Sequence, residues 1–195
     1  MEDEFVAREK KILSILEQEI ADGEEMADAV RSIAAELLLK EKGFTPSDIR
    51  RNVQFDVHLG SETLRSRVDF IVSVGGKQAM VMKCAAGSLS SRERHVVAAA
   101  RVAGGQPPLL AVVMDPMSAV VLDVQTGKVI AEGFDAIPTK EQLLKMVSEK
   151  ELKPYPAEKL DREKRILLAF DAIQCCIPQG ADGGVSLADP DHTAK

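Results

Sequence analysis

The stretch Arg67-Val-Asp69-Phe-Ile-Val-Ser-Val-Gly-Gly-Lys-Gln-Ala-Met-Val81-Met-Lys83 leaves this chain few ways to fold. β-branched and apolar residues run up to Gly75-Gly76 and resume beyond it, the pattern of two strands joined by a tight hairpin. Because every second side chain on a strand leaves the same face, Val81 and Lys83 share a side of the second strand. Asp69 can then stand on the neighbouring strand beside Lys83, provided the register holds, since a slip by one residue would separate the two.

The rest of the chain supplies what such a hairpin needs for a sheet. Before it, Val53, Phe55 and Val57 alternate with Gln54, Asp56 and His58, predicting a half-buried strand over 52–58, with further strands at 66–74 and 78–84. After it come a helix at 90–103, with Ser90 or Ser91 as N-cap, and strands at 109–114, 119–124 and 128–131. Phe5, Ile12, Leu13, Leu16 and Ile20 mark an amphipathic helix over 4–20, which Gly23 interrupts. A second helix covers about 24–41, capped by Gly43, and Thr45-Pro-Ser-Asp48 makes a short helical turn. Helices follow at 139–150 and about 157–176, the second with an apolar stripe of Leu160, Leu167, Phe170 and Ile173, and Lys153-Pro-Tyr-Pro156 forms a stiff linker between them.

This order predicts an α/β (mixed α+β) domain, a central mixed β-sheet flanked by helices on both faces. The expected divisions are an N-terminal helix at 1–23, the sheet domain at 24–150, a helical extension at 151–177 and a disordered tail at 178–195, where Gly, Asp, Ala and Pro lack periodicity.

Composition narrows the setting. The chain has 195 residues, 45% of them apolar and 29% charged, enough for one sizeable core. Its longest apolar runs fall far short of the roughly 20 residues of a membrane helix, and the acidic start Met1-Glu-Asp-Glu is unlike a secretory signal, so a cytoplasmic protein without membrane contact is expected. Cys84, Cys175 and Cys176 form no CxxC pair and His58, His95 and His192 are scattered, which argues against disulfides and zinc. Cys84 fits a small buried strand residue and His58 the polar side of a strand. The net charge of −6 gives no overall attraction to nucleic acid. Basic residues cluster only locally, at Arg50-Arg51, Arg65 with Arg67, and Arg92 with Arg94, and each cluster reads equally as phosphate-contacting or as solvated surface.

An aspartate on one strand and a lysine on the next form part of the skeleton of a Mg²⁺-dependent nuclease site. The cation needs oxygen ligands, usually one or two carboxylates, and the lysine orients water and offsets developing charge. In an intact site a second acid lies two residues before the lysine, and here that position holds Val81. An isopropyl group removes both a ligand and a negative charge. The plainer alternative makes Asp69 a polar strand residue and Lys83 a strand-end lysine reaching water along its stem.

The succession Ala29-Val-Arg31, Leu37, Gly43, a strand, Gly60, Arg67-Val-Asp69, Gly75-Gly76, a strand ending in Lys83, a helix and paired strands closing at Thr126-Gly127 resembles the N-terminal domain of type I restriction enzyme R subunits, over roughly residues 24–135. That resemblance implies the PD-(D/E)xK restriction-endonuclease-like superfamily, with a mixed sheet and an Asp, Glu and Lys that cleave DNA with Mg²⁺. Carried over, the catalytic residues are Asp69 and Lys83, with Val81 where the glutamate belongs. Asp69 is the metal ligand, and Glu25 or Asp28 on the early helix is the nearest match to a further acid. The polar residues that relatives carry on the helix after the lysine are replaced by Val96-Val-Ala-Ala-Ala100. No GxxxxGK[ST] occurs, so the expectation is a nuclease-like domain without a translocase motor.

Three functions follow as expectations. The first is a catalytically degenerate nuclease fold that binds DNA, through Arg65, Arg67, Arg92 and Arg94, or binds protein. The second is a working Mg²⁺-dependent endonuclease whose missing acid comes from Glu25, Asp56, Glu62 or Glu93. The third is a structural protein that binds a partner or a second copy of itself and has no nucleic-acid role.

Overall fold

The computed structural model describes residues 11, 18, 22–23, 25–85, 88–103, 105–150 and 153–175, with side chains as far as Asp171. Nearly all of the helix expected over 4–20, the tail from 178, Cys176 and the side chain of Ile173 lie outside the described residues. Asp22 and Gly23 are themselves helical, as are the residues from 25 onward. The cost of one helical glycine is only about 1 kcal/mol, which neighbouring turns can absorb.

Helix α1 (25–36) runs into a π-helical turn, Leu37–Glu41. It ends as expected at Gly43, whose φ of 75° lets the Phe44 N–H reach back to the Leu38 carbonyl at 3.1 Å. A 3₁₀ turn, Pro46–Asp48, capped by Thr45, leads into the sheet. The strands are β1 (Ile49–Leu59), β2 (Glu62–Val74), β3 (Lys77–Cys84), β4 (Leu110–Met114), β5 (Ala119–Asp123) and β6 (Val129–Glu132). They lie in sequence order as one six-stranded sheet. Only β3 and β4 pair in parallel, because helix α2 (Leu89–Val102) carries the chain across between them. Two further helices follow, α3 (Lys140–Glu149) and α4 (Ala157–Cys175).

Alternation along the strands divides the core in two. Phe70, Val72, Met80, Met82, Val112 and Met114 face α1 and α3, where Val30, Leu38 and Leu143 meet them. Ile71, Val81, Ala111, Val113 and Leu122 face α2 and α4, packing on Val96, Val97 and Leu167. The fold is thus the expected mixed sheet between helical layers.

Three local expectations change. Helix α2 starts earlier than predicted, with Ser88 at the N-cap position in place of Ser90 or Ser91, and its side chain bonds no helix N–H. The hairpin β1–β2 is longer than predicted, since polar residues on its solvent side hide the strand. On α4 the fully covered positions are Glu163, Leu167 and Asp171, and Leu160 and Phe170 are only half-buried.

β6 is an edge strand exposed along its whole length. Its register against β5 slips by one residue, leaving Ile130 without an opposite number.

Candidate functional site

Asp69 and Lys83 stand on adjacent strands, and the register Phe70↔Met82 sets them opposite each other just where the β2–β3 ladder ends. The β1–β2 ladder also skips the rung at Asn52 and Asp69, although pairing continues on both sides of it as Arg51↔Phe70 and Val53↔Val68. Asn52 takes a φ of 50°, a left-handed conformation that asparagine tolerates better than most residues. Across this level β2 changes the side it buries. Val68 joins the cluster of Val57 and Leu167, whereas Phe70, two residues on, joins the opposite cluster.

The Asp69 carboxylate fills the resulting gap. Its Oδ2 accepts the Cys84 N–H at 2.7 Å, a backbone donor past the last β2–β3 rung. Its Oδ1 accepts from Arg31 Nη1 at 3.2 Å, reaching in from α1. Arg31 is tethered in turn by Asp28, through Nε at 3.0 Å and through Nη2. Asp69 is only 2% exposed, so these partners replace water.

Lys83 does not extend to solvent as the plainer sequence reading had it. Half-buried, it donates from Nζ to the Arg67 carbonyl at 2.9 Å, tying β2 to β3 beyond their ladder. Burial lowers its pKa, the nearby Asp69 and Asp171 carboxylates oppose that shift, and the charges of Arg67 and Arg92 add to it. Val81, on the same side of β3, is 1% exposed and packed in the apolar cluster beneath α2 and α4.

The other acids considered from sequence are elsewhere. Glu25 and Glu62 are exposed, Glu93 is half-buried on α2, and Asp56 pairs with Arg65 at 3.0 Å on the solvent side of the hairpin. Asp28 reaches the site only through Arg31. The four arginines also separate: Arg67 and Arg92 lie within electrostatic reach of Lys83, Arg65 is held by Asp56, and Arg94 turns toward Glu163 at 3.8 Å.

Sequence reasoning missed a buried polar cluster beside Lys83. Asp171 of α4 accepts from Ser66 Oγ at 2.7 Å and stands 2.9 Å from His95 Nε2, close enough for an ion pair but out of line for a hydrogen bond. The His95 ring stacks on Phe170, with centroids 5.1 Å apart. Burial lowers the His95 pKa despite the adjacent carboxylate. Burial alone would raise that of Asp171, but His95, Ser66 and Lys83 together hold it below the usual carboxylate value. A second node lies about two turns away along each helix: Arg101 donates to Glu163 at 2.9 Å and to the Val124 carbonyl at 2.8 Å, beneath the Tyr155 ring. The available signal was the spacing Glu163, Leu167, Asp171, one helical face that mixes acids with leucine.

A Mg²⁺ ion requires several oxygen ligands in near-octahedral array. Asp69 has a partner on each oxygen and Val81 offers none. Among the described residues no three His, Cys, Asp or Glu side chains gather closely enough to hold a metal. The side chains present therefore do not fit the cation that a nuclease of this type would use.

A search of the curated proteins and of the solved structures matches nothing. The family described as type I restriction enzyme R protein N terminus does match, over residues 26–138, from α1 through the last strand and leaving α3 and α4 outside. No described helix is long and apolar enough to cross a membrane. With more than half its length matched, including Asp69, Val81 and Lys83, the chain belongs to the family of type I restriction enzyme R protein N-terminal domains.

Proposed function

We propose that this restriction-endonuclease-like domain binds DNA without cleaving it, holding the phosphate backbone rather than reading bases. The observation that carries the non-cleaving part is Val81, a sealed core side chain where the second metal-binding carboxylate would stand. In-line attack on a phosphodiester relies on a cation to polarise the phosphoryl oxygen and stabilise the leaving group. Binding needs only fixed positive charge. Arg67, Lys83 and Arg92 supply a local cluster despite the acidic whole, and Arg50 and Arg51 are exposed on β1. The competing endonuclease reading has one candidate acid in Asp171, but Ser66 and His95 already occupy its oxygens.

Two measurements test this. Supercoiled plasmid incubated with Mg²⁺ or Mn²⁺ stays intact with wild type and with Asp69→Ala; nicking by wild type that Asp69→Ala abolishes would overturn the non-cleaving reading. Duplex DNA retention weakens with added salt, and Arg67→Ala/Arg92→Ala lowers the log–log salt slope by about 2, roughly 0.9 per lost phosphate contact. Absence of salt-dependent retention would remove the DNA part and leave a protein partner.

A further inference from the structure

We infer that Arg31 serves as the resident cation of this site, its guanidinium taking the place beside Asp69 that a divalent metal would otherwise hold. The inference deepens the non-cleaving reading and rests on it. An intact site of this type pairs two carboxylates with a divalent ion. Here one of those carboxylates is a valine, and the one that remains faces a single guanidinium at 3.2 Å. The guanidinium stands between two carboxylates, Asp69 on the strand and Asp28 on its own helix.

The geometry favours a lasting arrangement. Asp69 is nearly sealed from water and Arg31 is four-fifths covered, so the pair is weakly screened. Asp28, on the preceding turn of α1, holds the guanidinium by Nε and Nη2, fixing the fork that presents Nη1 to Asp69. Arginine suits the task because its planar guanidinium stays charged at any working pH and bonds two carboxylates at once. A metal ion approaching Asp69 Oδ1 would meet like charge and an occupied lone pair. The same contact joins α1 to the β2–β3 break, so the arginine also performs the bridging between elements that a metal would have performed.

If so, restoring the missing acid alone does not restore metal binding. The test compares Val81→Glu with Val81→Glu/Arg31→Ala by titrating Mn²⁺ and reading the free-ion EPR signal, with circular dichroism as the check on folding. The double variant is expected to bind Mn²⁺ at least about tenfold tighter than Val81→Glu, a difference of about 1.4 kcal/mol. Where alanine disturbs α1, Arg31→Met keeps the aliphatic stem and removes only the charge. Equal affinity in the two folded proteins, whether tight or undetectable, overturns the role given to Arg31. That result leaves the non-cleaving reading intact, whereas plasmid nicking by wild type sinks the latter without touching the Mn²⁺ comparison.

Discussion

Burial holds the His95 imidazole neutral near pH 7, facing Asp171 and Phe170 from α4, Lys83 from β3 and Arg92 from its own helix. Unfolded, the ring takes up a proton near pH 6.5, and folded it resists to lower pH. The unfolded chain therefore binds more protons in that window, so stability present above about pH 6.5 is lost as pH falls through the folded value. The depressed Asp171 carboxylate acts in the same direction but further down, below its ordinary value of about 3.9. The urea midpoint of wild type is expected to drop between about pH 7.5 and about pH 5.5, and the drop to shrink in His95→Gln. An unchanged slope in that variant would show that another group is responsible. At this scale the sequence disclosed Asp69, Val81 and Lys83, because strand alternation and a hairpin register place residues almost by counting. It did not disclose Ser66, His95, Glu163 and Asp171, since a polar residue on an amphipathic helix or strand reads as solvated until its partner from a distant element is known. The pattern Ala29-Val-Arg31 likewise carries no sign that Arg31 reaches Asp69, 38 positions along the chain.

Helix α4 is held on α2 by an ion pair that is almost wholly buried, with side-chain exposures of 4% for Arg101 and 2% for Glu163. Such pairs add little net stability but are costly to break singly, because the survivor is left charged and unsolvated. Arg101→Met is expected to destabilise by about 3–5 kcal/mol, and Arg101→Met/Glu163→Leu to recover most of that loss, in urea unfolding. Equal losses in the single and double variants would mean that the Val124 and Gln125 carbonyls, which Arg101 also serves, dominate. The elements themselves were largely predictable: alternation marks β1, the runs on either side of Gly75-Gly76 mark β2 and β3, short apolar runs between turn residues mark β4 to β6, and apolar spacing marks α1 and α4. Their ends were less so. Glu62, Thr63 and Arg65 extend β2 as solvent-facing residues that carry no apolar signal, and Gly23, which reads as a break, is itself helical. The packed face of α4 is hidden in the sequence because its covered residues include two acids, Glu163 and Asp171.

The family match stops at residue 138, yet the core does not. Val57 and Val68 on the long hairpin have no exposure, and they share a cluster with Leu167 from α4. A chain ended after residue 150 would uncover them together with Ser66 and His95. It is expected to lose its cooperative urea transition and to bind ANS, the signs of lost specific packing. A truncated protein that melts as sharply as the full chain would show α4 to be an accessory. The outer border of the sheet has a different significance. Val129 and Ile130 lie bare on β6, the kind of strand on which another chain could template itself. With one surplus residue at Ile130, donors and acceptors along that border fall out of step, so an incoming straight strand could match only a few of them. Removing that surplus residue would regularise the border, and the foreseeable result is polymerisation.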